Sequence, residues 1–386
     1  MMRKTFGFFM PTVSLMGVGC AQELGARVSS LGGKRPLLVT DEGMMKTGIA
    51  EKVVALIKAS GVEPVLFDKV VPNPTDKNVH EGLDLYKSKH CDMIITLGGG
   101  SVHDCGKGIG IVATNGGKIH DFEGVDRSAK SMPPMIAINT TAGTASEMTR
   151  FCIITNTSNH VKMAIVDWRT TPNVAINDPE LMVAMPPFLT ACTGMDALTH
   201  AVEAYVSTIA TPVTDALALQ AINLISKNLR TAVANGSDMV ARDQMAYAEY
   251  LAGMAFNNAS LGYVHAMSHQ LGGMYNLPHG MCNAILLPHV SRFNLISRVD
   301  RFVDIAKALG EKNLDLSSSR AGAEKALEAI QVLSQDVGIP SGLKGSHVKE
   351  SDFSVMADNA MKDACGFTNP RVPTKKDVIA MYAAAM

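Results

Sequence analysis

Apolar residues in the first half of the chain fall into short runs separated by helical spacings. "RPLLVTDEG" is a compact apolar run closed by Asp41 and a turn glycine, "EPVLFDKV" is a second, and "CDMIITLGGGS" is a third that ends in glycines. Between them, "EKVVALIKASG" spaces apolar residues three and four apart with Gly61 as its stop, and "TDKNVHEGLDLYKSK" reads as a mostly polar helix begun by Thr75. "PPMIAINTTAGTASE" opens as another strand and gives way to a loop of small residues. Strands alternating with helices predict a parallel sheet covered on both faces, with ligands outside the carboxyl ends of its strands. From about residue 187 the strand signals stop. "PPFLTACTGMDALTHAVEAYVS", "TPVTDALALQAINLISKNLRTAVANG" and "ARDQMAYAEYLAGMAFNNASLG" all carry helical spacing, opened by Pro or Thr and closed by glycine in two of three cases. The expected organisation is an α/β N-terminal domain over residues 1–185 and an all-α C-terminal domain over residues 186–386.

The opening stretch "MMRKTFGFFMPTVSLMGVGC" has the outline of a lipoprotein leader, with a basic start, an apolar middle and a cysteine. Pro11, Thr12 and Ser14 break the apolar run, however, and Gly17 stands where a lipobox wants leucine. The better reading makes Phe6–Met10 the first strand and Gly17 and Gly19 the turn after it. Bulk properties narrow the field further. A formal net charge of −1 over 386 residues favours neither nucleic acid nor an anionic membrane as partner. Seven scattered cysteines without a CxxC fit reduced thiols in the cytoplasm.

Two strand-to-helix junctions suit a nucleotide. Gly98, Gly99 and Gly100 let backbone approach a ligand closely, and free amides at the next helix N-terminus suit a pyrophosphate. The stretch is not a P-loop, because Gly100 to Gly106 is one residue too long and Gly108 replaces the required hydroxyl residue. The second junction, "NTTAGTASE", adds the hydroxyls of Thr140, Thr141, Thr144 and Ser146. Asp41, ending its strand, suits ribose hydroxyls and would repel a 2′-phosphate, although a carboxylate there also serves as a helix cap. In the second half, "GMDALTH" sets Asp196 and His200 four residues apart on one helix face, and "GYVHAMSHQLGGMYNLPHG" adds His265, His269 and His279, the last at a loop after Pro278. One carboxylate with three imidazoles is a ligand set for Fe²⁺, Zn²⁺ or a similar divalent ion. Such a site keeps a net positive charge suited to polarising an alcohol oxygen.

At this point the chain resembles the iron-containing alcohol dehydrogenases, and most of all the branch that holds the 1,3-propanediol and methanol dehydrogenases. The motifs that carry the likeness run nearly end to end: "VPNPT", "GGGSVHDCGKGIG", "INTTAGTASEMTR", "GMDALTHAVEAYVS", "GYVHAMSHQLGG", "LPHG" and "NPR". The resemblance implies NAD between the two domains and one divalent metal, Fe²⁺ first, held by Asp196, His200, His265 and His279. It implies that His269 lies beside the substrate rather than on the metal. Asp41 would meet the adenine ribose, and Asn73 would lie near the adenosine. Gly99, Gly100 and Ser101 would hold the pyrophosphate with Asp104 nearby, and Thr140, Thr141, Thr144, Thr149 and Lys162 would line the rest of the cleft. Phe151 belongs to the same stretch, at a position where relatives often carry a polar residue. A homo-oligomer, dimeric or decameric, is implied too.

The expected activity is NAD-dependent interconversion of short primary alcohols or diols and their aldehydes. Ala259, Ser260, Gly262, Ala364, Cys365 and Gly366 are expected to leave room near the nicotinamide, with Phe256 and Phe367 as walls. A dehydroquinate synthase-like enzyme would need several basic residues at the substrate phosphate, where "MAFNNASLGYVHAMSHQ" and "KDACGFTNPR" are mostly small or apolar. A glycerol or sugar-alcohol dehydrogenase, and a non-catalytic metal-sensing or scaffold protein that kept the fold, are the other readings.

Overall fold

The structure, a computed structural model, describes residues 5–10, 13–159, 161–312 and 319–386. Its first part carries strands β1 (Val13–Met16), β2 (Pro36–Val39), β3 (Val65–Phe67), β4 (Met93–Gly98), β5 (Gly124–Val125), β6 (Met135–Asn139), β7 (Phe151–Asn156), β8 (Val161–Val166) and β9 (Val174–Asn177). Six of them form one parallel sheet in the order β1-β9-β6-β4-β2-β3. Helices α1 (Leu24–Ser30), α2 (Glu42–Lys46), α3 (Ile49–Ala59), α4 (Asp76–Ser88) and α5 (Gly100–Asn115) alternate with these strands.

The strands read as continuous apolar runs because both faces are buried. Leu37 and Val39 of β2, with Ile94 of β4, join Val79 and Leu83 of α4 and Ile109 of α5 on one face. Leu38 of β2, with Met93, Ile95 and Leu97 of β4, meets Leu24 and Val28 of α1 and Val53 and Ile57 of α3 on the other. This is strand alternation read twice, once into each layer. The chain runs outward from β2 to edge strand β3, then returns to β4 on the other side of β2. That reversal opens a crevice at the carboxyl ends of β2 and β4, where Asp41 and Gly98–Gly100 lie.

The strand expected at Phe6–Met10 forms instead at Val13–Met16. Phe9 spends its backbone groups elsewhere: its N–H donates to Asn258 Oδ1, its carbonyl accepts from Asn257 and Asn258, and Arg150 lies over its ring. A second addition is a small sheet ordered β5-β8-β7, in which β7 and β8 form an antiparallel hairpin. Gly61 ends α3 as expected, with a backbone φ of +81°.

The second part is helical: α6 (Pro187–Val206), α7 (Pro212–Ala234), α8 (Met239–Ala259), α9 (Tyr263–Tyr275), α10 (His279–Leu295), α11 (Val299–Ala308), α12 (Ser319–Asp336), α13 (Phe353–Ala360) and α14 (Lys375–Ala384). Its core also takes in Ala142, Ala145 and Met148 from the loop after β6, so that loop is packed into the helical part. Gly143 makes the approach possible, because a Cβ there would stand 2.5 Å from Thr193 Cβ. All seven cysteines are free, and among the described residues no helix is long and apolar enough to cross a membrane.

Candidate metal centre and cofactor cleft

Helix α6 has apolar and small residues all round because it runs through the middle of the helical part, with Thr190–Val206 buried. Its polar residues are therefore few and each is held. Asp196 and His200 share a face at spacing i, i+4, and Glu203 continues that face one turn on. Helix α9 brings His265 against them. Helix α10 begins with His279 itself, directly after Pro278 at the N-cap position, so this histidine is the first helical residue rather than a loop residue. Gly280 permits that placement, since a Cβ there would lie 2.3 Å from the Cys192 carbonyl oxygen of α6.

Four candidate ligand atoms converge. His200, His265 and His279 each turn Nε2 toward Asp196 Oδ1, at 3.8, 3.7 and 3.7 Å. The other ring nitrogens are tied back: His200 Nδ1 to the Gly143 carbonyl at 3.1 Å, His265 Nδ1 to Glu203 Oε2 at 2.6 Å, and His279 Nδ1 to Ser268 Oγ at 3.2 Å. Outer groups of this kind fix ring orientation in metal sites. Burial works to raise the Asp196 carboxyl, but the surrounding imidazoles hold it well below the usual carboxylate range. Burial pushes His200 down to about 4 and His279 well below its ordinary value. Burial also acts to lower His265, yet Asp196 and Glu203 outweigh it and raise that ring to about 9.

The residues fit a divalent cation. Every converging atom is an acceptor when the imidazoles are neutral, and the one donor among them is the Asn283 amide. Its Nδ2 lies 2.6 Å from Asp196 Oδ1 and 3.1 Å from both His265 Nε2 and His279 Nε2. Asn283 Oδ1 is meanwhile buried without a partner among the described residues. Two buried carboxylates, Asp196 and Glu203, call for positive charge at this place.

The centre forms the floor of a cleft between the two parts. Asn73, Gly100, Ser101, Asp104, Thr144, Thr149, Phe151 and Lys162 line it from the α/β side, and Asp196, His200, His265, His269 and His279 from the helical side. Asn73 bridges the mouth, its Nδ2 donating to Asn276 Oδ1 at 2.9 Å. Gly99 and Thr141 pack against each other beside this lining, and Thr140 donates its N–H to the Gly98 carbonyl. Asp41 also lies outside the lining, and its Oδ1 caps α2 through the Met44 N–H at 2.9 Å.

Asp104 has both oxygens engaged, accepting from Ser146 Oγ at 2.6 Å and from the Ile153 N–H at 3.0 Å. Fully buried Lys107 donates to Ser146 Oγ, to the Thr149 carbonyl and to the Phe151 carbonyl at 3.0, 2.9 and 2.7 Å. Together they set the course of the chain from Ser146 to Ile153, which carries Thr149 and Phe151 into the cleft.

The aromatic wall differs from expectation. Phe256 stacks on His200 with centroids 4.3 Å apart and meets Phe151 at 5.6 Å. Phe367 is 73 % exposed and walls nothing. Of the small residues expected there, Cys365 lines the cleft and Ala364 lines a neighbouring cavity. Sequence reading passed over Glu203, Ser268, Asn283, Lys107 and Asp363. Two of these carried a signal: Glu203 falls seven residues after Asp196, and Asn283 four after His279, each on the ligand face of its helix.

The family model for iron-containing alcohol dehydrogenase matches residues 11–179, and the C-terminal model of the same family matches residues 190–386. A 1,3-propanediol dehydrogenase from Citrobacter freundii is 53 % identical over 384 residues, covering 99 % of each chain. The NAD-dependent methanol dehydrogenase of Bacillus methanolicus is 50 % identical over 371 residues, 96 % of this chain and 97 % of that one. A crystal structure of a 1,3-propanediol oxidoreductase superposes with a TM-score of 0.97 at 52 % identity, covering 99 % of this chain and 100 % of the other. With an α/β part, a helical part and this ligand set between them, the chain belongs to the iron-containing alcohol dehydrogenase family.

Proposed function

We propose that this protein is a metal- and NAD-dependent dehydrogenase that interconverts short primary alcohols or diols and their aldehydes, with Asp196, His200, His265 and His279 holding the metal. The observation that carries the reading is the convergence of three Nε2 atoms within 3.7–3.8 Å of Asp196 Oδ1 on the floor of a cleft. A divalent ion there, Fe²⁺ in the first place or Zn²⁺, supplies the charge that lowers an alcohol's pKa, and NAD supplies the hydride acceptor.

The chain's own residues do the rest. Glu203, Gly143 and Ser268 hold the three imidazoles in orientation. Phe151 and Phe256 keep water from one side of the reacting carbon. His269 stands beside the substrate, and Lys162 faces the same space. Gly100, Ser101, Thr144 and Thr149, with Asp104 beside them, contribute small polar surface to the nucleotide, and Gly99, Thr140 and Thr141 shape the loops they stand on. We take residues 1–185 and 186–386 as the two domains, and a homo-oligomer in the cytoplasm as the working form.

A panel of C1–C6 alcohols with NAD, run beside metal analysis, tests the reading. The Phe151–Phe256 wall and the scarcity of free charges suit short uncharged chains. Each methylene buried there contributes about 0.8 kcal/mol, roughly fourfold. The expected result is kcat/KM rising from methanol through butanol and then levelling. A phosphorylated or carboxylated substrate that beats 1-butanol or 1,3-propanediol tenfold shows the pocket to be something else.

Asp41 supplies a separate expectation. Only Oδ1 is committed to the α2 cap, and Oδ2 has no partner among the described residues. A carboxylate at this strand end accepts ribose hydroxyls and repels a 2′-phosphate of about −1.5 to −2 charge. Asp41→Gly should raise NADP turnover relative to NAD, while loss of the cap costs only a few tenths of a kcal/mol. If the ratio of the two kcat/KM values does not move, Asp41 is a cap and nothing more.

A further inference from the structure

Two open spaces meet at His269. Its ring lines the cleft and also a second cavity between the small sheet and helices α9 and α13, bounded by Val161, Gln270, Asn359 and Asp363. Asp363 Oδ2 holds His269 Nδ1 at 2.8 Å, while Nε2 has no partner among the described residues. Asp363 is itself anchored, because its Oδ1 accepts the Cys365 N–H at 2.9 Å and so caps the short turn Ala364–Thr368. An ionised carboxylate only accepts, so the bond places a proton on Nδ1 and leaves Nε2 as the free corner of the ring. That ring stands 5.5 Å from His279 and 6.1 Å from His265, centroid to centroid. The two oxygens of an extended 1,3-diol lie roughly 5 Å apart by ordinary bond lengths. A hydroxyl three carbons away from an oxygen at the four-ligand centre therefore arrives at His269.

We propose that Asp363 is a positioning residue for specificity: it turns His269 so that Nε2 reads the second hydroxyl of a short diol. The inference rests on the function proposed above and goes beyond it by naming what distinguishes a diol from a simple alcohol. A hydroxyl both donates and accepts, so it satisfies Nε2 whichever form the ring takes. A methyl in the same place leaves Nε2 unpaired in a largely apolar pocket, a difference that protein sites turn into strong discrimination. 1-Butanol is 1,3-propanediol with one hydroxyl replaced by methyl, so the two test this contact at nearly equal shape.

The experiment measures kcat/KM for both substrates with the metal-loaded enzyme and NAD, in the wild type, Asp363→Ser and His269→Phe. Serine keeps the turn capped but does not reach His269. The wild type should prefer the diol by about tenfold or more. Asp363→Ser and His269→Phe should each bring that ratio down about tenfold, with the KM for NAD unchanged. Equal losses on both substrates, or no preference in the wild type, overturns the inference. A wild type that forms no NADH from either alcohol overturns the functional reading and this one with it. An unchanged ratio in an active enzyme overturns this one alone.

Discussion

Replacing His265 or His279 by alanine should abolish NADH formation from every alcohol while leaving the fold intact. Each histidine supplies one of the four converging atoms, and each is held by an outer partner that has no other task at the centre. Loss of one ligand lowers metal affinity sharply and misplaces the open position where substrate must lie. The expected fall in kcat/KM is about 10³-fold or more, with bound metal dropping in parallel, since removing even an outer partner typically costs 10–100-fold. Chelation of the wild type should give the same loss, restored on adding back Fe²⁺ or Zn²⁺. His265→Ala carries the larger structural risk, because it leaves Glu203 buried with only the Val264 N–H, at 2.7 Å, among the described residues. The pair Glu203→Ala, His265→Ala removes that objection. Full turnover in a metal-free preparation, or in either single variant, refutes the assignment.

The convergence of these side chains was legible in sequence because both principal histidine-bearing stretches sit on helices, where spacing reports a shared face. Asp196 with His200, and His265 with His269, are such pairs. Spacing does not say which of two histidines on one face ligates; that depends on the rest of the fold. His265 points at Asp196, and one turn on, His269 points at Asp363, which is 94 residues away in sequence. A contact of that separation leaves no local mark. Phe367 failed for the opposite reason. An aromatic beside small residues reads as a pocket wall, but the turn Ala364–Thr368 carries it outward into solvent. The β7–β8 hairpin went unread because its residues, half-buried in alternation, interrupt a pattern set by the fully buried central strands β2, β4, β6 and β9. Yet the hairpin matters to function, since Phe151 and Lys162 come from its two strands.

Stability should fall as pH rises from about 5 to 8, and Glu249→Gln should remove most of that fall. Glu147, in the loop after β6, and Glu249 of α8 are fully buried and close enough for each to act on the other's charge. Glu249 Oε1 accepts the Ala145 N–H at 2.5 Å, Asn177 donates to Glu147 Oε1 at 3.3 Å, and Oε2 of each is buried without a hydrogen-bond partner among the described residues. Two carboxylates cannot bond without a proton between them, and the nearest positive charge, Lys107, is already spent on three oxygens. Burial therefore pushes both carboxyls up, Glu147 to about 7 and Glu249 well above its ordinary value. Groups whose pKa is raised by folding contribute stability that is complete below their unfolded value and lost as pH climbs through the folded one. For Glu147 that window runs from the ordinary 4.5 to about 7, and a shift of this size corresponds to roughly 3 kcal/mol. In the variant, glutamine still accepts from Ala145 and now donates to Glu147 without needing a shared proton. The effect reaches the cleft because Ala145, held at a backbone φ of +52°, adjoins Thr144 and lies two residues from the Gly143 carbonyl that orients His200. Unfolding midpoints of the metal-loaded wild type and Glu249→Gln, compared across this range, decide the matter. Parallel curves mean that the pair holds no proton in the folded enzyme; curves that coincide near pH 5 and separate toward pH 8, with the variant the more stable there, mean that the proton is what keeps this loop in place.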